Sequence, residues 1–330
     1  MTIAACYRSP EGVVLGADST TTMFFDQPGT TGKLPHYFKY AQKLFEVSEK
    51  PETESLAIVT WGLGGVGTVS HRSLVARLSD SIKIKAKPAT TLQEVANRWT
   101  DLFWNEWSNT LAVQLARVKQ LIAKSRTPDE EQELPLLMGL GVGFCVGGCC
   151  QADNRNVGAF EILFDPRLAK PSPKPLPIGL PAFLGVPNIM KRLLLGADER
   201  LVPDLMKSGK WTGTEADLNT ILQNYYLKQS LMPIRDGIDF VHAGIYSTIK
   251  GLKFSNLSQL CGGPIEIAVI TSDRPFRWVR HKRFDEKPVG NGAISSATIA
   301  HGSICRNVRA FQAARMVPPT RPTASFGRPA

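Results

Sequence analysis

Short apolar runs broken by turn residues open the chain, and longer stretches with helical spacing follow. Residues 2–7 predict a strand, Ser9-Pro10-Glu11-Gly12 a turn, and residues 13–17 a return strand. Residues 24–40 carry Pro28, Gly29, Gly32 and Pro35 and predict a loop. Residues 43–47 and 55–61 predict a second strand pair, with glycines at 62, 64, 65 and 67 after it. Helical spacing runs from Val66 to Ile84 and again from Thr91 to about Ser125. In the second stretch Val95, Trp99, Leu102, Phe103, Trp107, Leu111, Val113 and Leu115 predict one amphipathic helix or a helix pair. Residues 128–133 predict an acidic loop. Residues 136–150 and 157–164 predict another strand pair, and 166–187 are proline-rich and predict irregular chain. Helical patterns return at 188–207, 215–229 and 233–251. Residues 263–271 and 276–280 predict a last hairpin.

Consecutive strands pair as hairpins, and helices come in blocks. That order excludes regular β-α-β alternation and predicts an α+β fold, two antiparallel sheets with helices layered outside. The chain has 330 residues, 43% hydrophobic and 21% charged, which excludes a largely disordered protein. Residues 1–285 read as one domain and 286–330 as a basic, proline-containing mobile tail. Of the net charge of +10, residues 281–330 supply +6, from eight Lys/Arg and two Asp/Glu. That excess reads as a solvated tail rather than a nucleic-acid contact. No apolar run reaches the ~20 residues of a membrane helix, since the best, 136–150, is broken by five glycines. Nothing at the amino terminus resembles a secretory signal, so the expectation is a cytoplasmic protein with no membrane contact. Its six cysteines then default to reduced core thiols, and their spacing predicts no metal site.

Candidate chemistry begins at the amino terminus. Removal of Met1 leaves Thr2 with a free α-amine beside its own hydroxyl. A hydroxyl needs a base, and an α-amine with an ordinary pKa of about 7.7–8.0 can serve as one, so nucleophile and base share a residue. Asp18 ends the apolar return strand Gly12-Val13-Val14-Leu15-Gly16-Ala17, where a carboxylate must be paired or hydrogen-bonded.

With Thr2 opening the first strand and Ala17-Asp18-Ser19 ending the second, the sequence resembles the proteasome β-subunit family of N-terminal nucleophile (Ntn) hydrolases. Thr22 falls where the family also has a threonine. Lys43-Leu44-Phe45 matches the lysine that opens the family's third strand, about ten residues later than its usual spacing. Thr60-Trp61-Gly62 matches the glycine whose backbone N–H faces the oxyanion. Gly262-Gly263 and the strand after it match the penultimate strand. The resemblance implies a four-layer αββα sandwich with insertions near 97–135 and 166–187, and hydrolysis of peptide or amide bonds by Thr2 without metal or cofactor. It assigns Lys43 to tuning Thr2, Asp18 to orienting Lys43, and Gly62 and Thr22 to the oxyanion and substrate backbone. Ala41 and Thr60 become pocket residues. A homo-oligomer, as a ring or related assembly, is also implied. A start at Met-Thr implies that no propeptide need be removed. Two departures stand out: the family's aspartate and serine before the Gly-Gly fall at Ser258 and Cys261 here, and a mid-chain serine has no counterpart around Leu184-Gly185. They motivate an alternative, a catalytically silent scaffold or binding protein on the same fold.

A different class is raised by Gly62-Leu63-Gly64-Gly65-Val66-Gly67, the G-x-G-x-x-G fingerprint of dinucleotide binding, placed between a predicted strand and a predicted helix. No acidic residue ends a following strand about 20 residues on, as that motif requires. Asp236, Asp239 and His242 share helical spacing and read as a solvated face. Trp99, Trp104 and Trp107 read as core, and His71 as a surface or capping residue.

Overall fold

The structure is a computed structural model that describes residues 2–26, 33–47, 54–83, 89–255 and 261–282. The segment after 282, with the predicted tail and Cys305, lies outside the described residues, as does Ser258.

Strands β1 (Ile3–Arg8) and β2 (Gly12–Ala17) form the predicted hairpin. Ser9 turns it, its Oγ accepting from the N–H groups of Glu11 and Gly12. Within the expected 24–40 loop, the described residues up to 26 and from 33 to 38 are strand. Strands β3 (Thr21–Asp26) and β4 (Lys33–Phe38) pair there as a hairpin, with Thr22 opposite Tyr37. Next come β5 (Leu44–Glu46) and β6 (Glu54–Gly62). The expected helix from Val66 starts later. Strands β7 (Gly65–Val66) and β8 (Val69–Ser70) first make a small hairpin, and α1 spans His71–Ile82, capped by Ser70. The long helical stretch is a pair, α2 (Leu92–Thr110) and α3 (Ala112–Ile122).

The expected acidic loop is helix α4 (Pro128–Met138), begun by Pro128 and a reciprocal capping box between Thr127 and Glu130. Strand β10 (Gly158–Phe164) matches its predicted position, while β9 (Val142–Cys150) begins six residues later than expected because 136–138 finish α4. The irregular 166–187 region hides two short strands, β11 (Lys174–Pro175) and β12 (Ala182–Gly185). Helices α5 (Asn188–Leu195), α6 (Leu201–Ser208), α7 (Glu215–Gln223) and α8 (Ile234–Lys253) precede the last hairpin, β13 (Glu266–Thr271) and β14 (Arg277–Arg280).

Two five-stranded antiparallel sheets result, in the orders β12-β1-β2-β13-β14 and β11-β10-β9-β6-β5. The central strands β1, β2, β13, β9 and β6 are almost wholly buried because the sheets are covered on both faces there, while the edge strands β11 and β14 are exposed. Between them lies a core of Val13, Leu15, Val59, Trp61, Cys145 and Ile270. Helices α1 and α2 cover the second sheet, burying Leu74, Trp99, Phe103 and Trp107 against Phe144 and Phe164. Helix α8 covers the first, burying Val241 and Ile245 against Val14, Ile3 and Ile267, with Met190 of α5 beside it. The described layers are therefore helix, sheet, sheet, helix, as expected.

Two smaller expectations change. His71 is not on the surface: it is 4% exposed, wedged between the rings of Phe103 and Phe144, and burial lowers its pKa to about 4. The five described cysteines are buried free thiols, as expected.

Candidate active site at the start of the first strand

Asp18 is the hub. Strand β2 delivers it, fully buried, beside the start of β1, because Ala4 pairs with Ala17 in the hairpin. The Ile3 N–H donates to Oδ1 at 3.1 Å, and the N–H groups of Thr20 and Gly262 donate to Oδ2 at 3.1 and 2.8 Å. Lys43 Nζ completes the set at 2.7 Å from Oδ1. Four donors satisfy this carboxylate, which is what a buried anion requires. The bond to Ile3 N fixes the backbone one residue after Thr2. Thr2 itself is 4% exposed.

Lys43 stands just before β5 and is 5% exposed. Burial pushes its ammonium below the ordinary lysine value, while the charge of Asp18 and the hydrogen bond to it pull back up. Its segment is anchored through the backbone. Ala41 N–H donates to Ser19 O, and Thr60 N–H of β6 donates to Lys43 O, both at 2.9 Å. Ser19 N–H in turn donates to Gly262 O at 2.9 Å, so the ends of β2, β5 and the run into β13 are tied around one carboxylate.

Gly62 ends β6 with φ +88°, a conformation that glycine adopts without strain, and its backbone is exposed. Across from it, Gly185 of β12 pairs with Ile3, with φ +84°. A Cβ there would stand 2.1 Å from the Thr2 carbonyl oxygen and 3.2 Å from Trp61 Cβ. The start of β1 and the end of β6 therefore meet over Gly185, which brings Thr2 near the Trp61-Gly62 turn. Two hydroxyls in this region, Thr22 Oγ1 and Ser19 Oγ, are buried without a hydrogen-bond partner.

The structure thus groups Thr2, Asp18 and Lys43, with Gly62 one strand end away and Cys261 beside Gly262. Burial, with the Asp18 charge adding to it, pushes the Cys261 thiol up to about 12, so it stays neutral. Ser258 falls outside the described residues. Thr60 is tied up: its hydroxyl donates to Gly143 O at 3.2 Å, which makes it a strut between β6 and β9. The nucleotide fingerprint at 62–67 lacks its structural context, because a two-stranded hairpin follows Gly64 where the motif needs a helix start. His242 lies on an exposed face, with Nε2 2.8 Å from Arg280 Nη1. Among the described residues no group of three or more His, Cys, Asp or Glu could hold a metal. No described helix is long and apolar enough to cross a membrane.

Sequence reasoning missed a second buried ion pair nearby, Glu266 with Lys282 at 3.1 Å. Only sheet pairing reveals it, by setting Glu266 opposite Ala17.

Neither a family model nor a curated protein matches the sequence. Solved structures similar to it include an Anbu (Gly-1) mutant from Hyphomicrobium sp. strain MC1, at TM-score 0.47 and 14% identity, covering 87% of this chain and 89% of that one. Anbu from Yersinia bercovieri, described as an ancestral beta-subunit, is similar at TM-score 0.43 and 12% identity, covering 83% and 82%. These neighbours correct the family resemblance drawn from sequence. They are Anbu proteins, where the sequence resemblance named proteasome β subunits, and at these scores and identities they give this chain no family, activity or role. The layering itself is the expected one, two antiparallel five-stranded sheets between helical layers.

Proposed function

We propose that the protein is a threonine-type N-terminal nucleophile hydrolase acting on peptide or amide bonds. The observation that carries this reading is the buried Lys43–Asp18 pair, locked by the Ile3 N–H to the residue after Thr2. A fold gains little from burying a lysine and an aspartate, since an apolar pair of similar volume is often as stable. Next to a hydroxyl and an α-amine, the same pair has chemical work to do.

The reaction requires the α-amine of Thr2 to be free. The amine takes the hydroxyl proton, directly or through water, and Thr2 Oγ bonds to the substrate carbonyl carbon. The carbonyl oxygen becomes an oxyanion, which the Gly62 N–H stabilises; a backbone donor of this kind is commonly worth about 10²–10³ in rate. Collapse breaks the C–N bond, and the departing amine takes back the proton. Water then hydrolyses the acyl-threonine ester and restores the hydroxyl. Lys43, held cationic by Asp18, favours the neutral amine and the developing alkoxide. The unpartnered Thr22 Oγ1 suits a hydrogen bond to the substrate backbone. Ala41, between Ser19 and Lys43, lines the approach. No metal or cofactor enters this scheme.

Assembly into a homo-oligomer belongs to the same reading. Leu193, Tyr225, Leu227 and Phe254, on and around α5–α8, are exposed apolar side chains that a second copy would cover, and sedimentation velocity tests this. For the reaction, the test is turnover of fluorogenic peptides. Hydrolysis that vanishes in Thr2→Ala and in Lys43→Met supports it. Equal turnover in Thr2→Ala contradicts it, and retention of Met1 in the purified protein favours the silent scaffold.

A further inference from the structure

Glu266 and Lys282 take no part in the reaction as written, yet they back the segment that carries Lys43. Glu266 opens β13 opposite Ala17, one residue before Asp18. Its carboxylate is fully buried, and the Lys282 side chain is 1% exposed. Lys282 Nζ lies 3.1 Å from Glu266 Oε2, while His281 Nδ1 lies 2.8 Å from Oε1, at ion-pair distance without the alignment of a hydrogen bond. A second donor bond from Lys282 Nζ reaches the Ala41 carbonyl at 2.9 Å. The segment 41–43 is then held at three points: Ala41 N–H to Ser19 O, Ala41 O from Lys282, and Lys43 O from Thr60 N–H. Lys282 supplies the side-chain hold among the three. A buried ion pair is weak evidence for stability, which leaves the contact to Ala41 as the reason for placing one here.

We propose that Lys282, neutralised by Glu266, is a positioning residue for the Thr2 site, fixing through the Ala41 carbonyl where Lys43 sets its ammonium against Asp18. The proposal rests on the reading of Thr2, Asp18 and Lys43 as the reaction centre. The charged or titratable groups acting on Lys43 are Asp18, Cys261 and Lys282, with Glu266 and His281 behind Lys282. Burial pushes the Lys43 pKa down, Asp18 pulls it up, and the Lys282 charge adds a smaller push down. Lys282 therefore acts on Lys43 twice, through a backbone contact and through like charge.

The experiment uses the full-length protein with carbon-13-labelled lysine. The Lys43 side-chain resonance is titrated by NMR, assigned by its loss in Lys43→Met, and peptide hydrolysis is measured alongside. Lys282→Met removes a like charge and the hold on Ala41. The Lys43 titration then moves to higher pH, and kcat falls about 10–100-fold with KM within about twofold of the wild type. Glu266→Gln keeps the shape and the Lys282 bond to Ala41 but removes a negative charge, so the titration moves to lower pH with a smaller loss of kcat. Opposite shifts from the two variants are the signature, because a merely structural pair would change the melting temperature alone. If Lys282→Met does not fold, the isosteric Glu266→Gln variant decides. A Lys43 titration unchanged in the folded variants overturns the proposal. Absence of Thr2-dependent hydrolysis in the wild type overturns the reaction instead, and the titration still reports whether Lys282 governs Lys43.

Discussion

Two clusters of charge in this molecule look alike on paper and are opposites in physics. Between α3 and α4, Arg117 bridges Glu130 and Glu133 while Lys124 also reaches Glu130. Helix α4 buries no residue at all. Hydrogen bonds from Lys124 and from the Thr127 backbone hold Glu130 down to about 2, yet its partners Arg117 and Lys124 are 34% and 53% exposed, so water screens the pairing. At the start of β1, Asp18 and Lys43 are 0% and 5% exposed, and three of the four donors around the carboxylate are backbone N–H groups. The first cluster finishes a helix hairpin that has little core of its own. The second bears a desolvation cost that the fold does not need, next to a residue able to act as nucleophile. Charge marks a site where it is costly to keep, and merely decorates where water carries it.

The largest expected effect comes from splitting the buried pair. Asp18→Ala strands the Lys43 ammonium without a partner, and unfolding in urea is expected to show a loss of about 3–5 kcal/mol. Asp18→Asn keeps the shape but loses the charge, so hydrolysis falls while the fold survives; unchanged turnover in Asp18→Asn would break the comparison.

Next in size is Gly185→Ala. Its Cβ would meet the Thr2 carbonyl at 2.1 Å, with φ at +84°. A cost of about 1–3 kcal/mol is expected from the backbone conformation alone, with a further loss of activity because Thr2 must move. Comparing its melting temperature with that of Gly209→Ala sharpens the point. Gly209 has φ +65° and nothing within 4 Å of a Cβ, so it isolates the conformational part.

His71 provides a buried titratable group with no charged partner. Its folded pKa, about 4, lies below its ordinary value, so the unfolded chain binds the extra proton first as pH falls. Stability is therefore full above about pH 6.5 and declines as pH drops toward 4, by about 2–3 kcal/mol between pH 7 and 4.5. Urea unfolding at the two pH values reads this directly. A His71→Leu variant should lose that part of the slope, and an unaltered slope would place the acid sensitivity elsewhere.

The smallest effect belongs to Arg117→Ala. The melting temperature should stay within about 2 °C of the wild type and shift no further in high salt. A large drop would mean that the exposed network contributes far more than screened charges normally do.

The sandwich was legible wherever apolar runs alternate with turn residues, as in β1, β2, β6, β9 and β13. It was illegible where local chemistry replaces hydrophobic pattern. Helix α4 rests on Pro128 and the Thr127–Glu130 capping box, so an acidic stretch without buried residues read as loop. Strand β12 has four residues inside proline-rich chain, and it exists because β1 offers it an edge. The pairing of β3 with β4 was hidden by prolines and glycines that read as breakers. Of the site, Thr2, Asp18 and Lys43 were legible because their residue types follow one another in a recognisable order. Glu266 and Lys282 were not, since sixteen residues separate them and only the register of β13 against β2 places them behind Ala41. His71 was misplaced because a lone histidine after glycines carries no sign of the aromatic cage that α2 and β9 build around it.

The most direct test of the central claim is the intact mass of the protein, prepared with Thr2 as its first residue, after exposure to a peptide epoxyketone. That probe needs a hydroxyl and an α-amine on one residue. The account predicts a single adduct, located on Thr2 by fragmentation, absent from Thr2→Ala and strongly slowed in Lys43→Met. An adduct that forms equally fast in Lys43→Met, or one that lands on another residue, would contradict it.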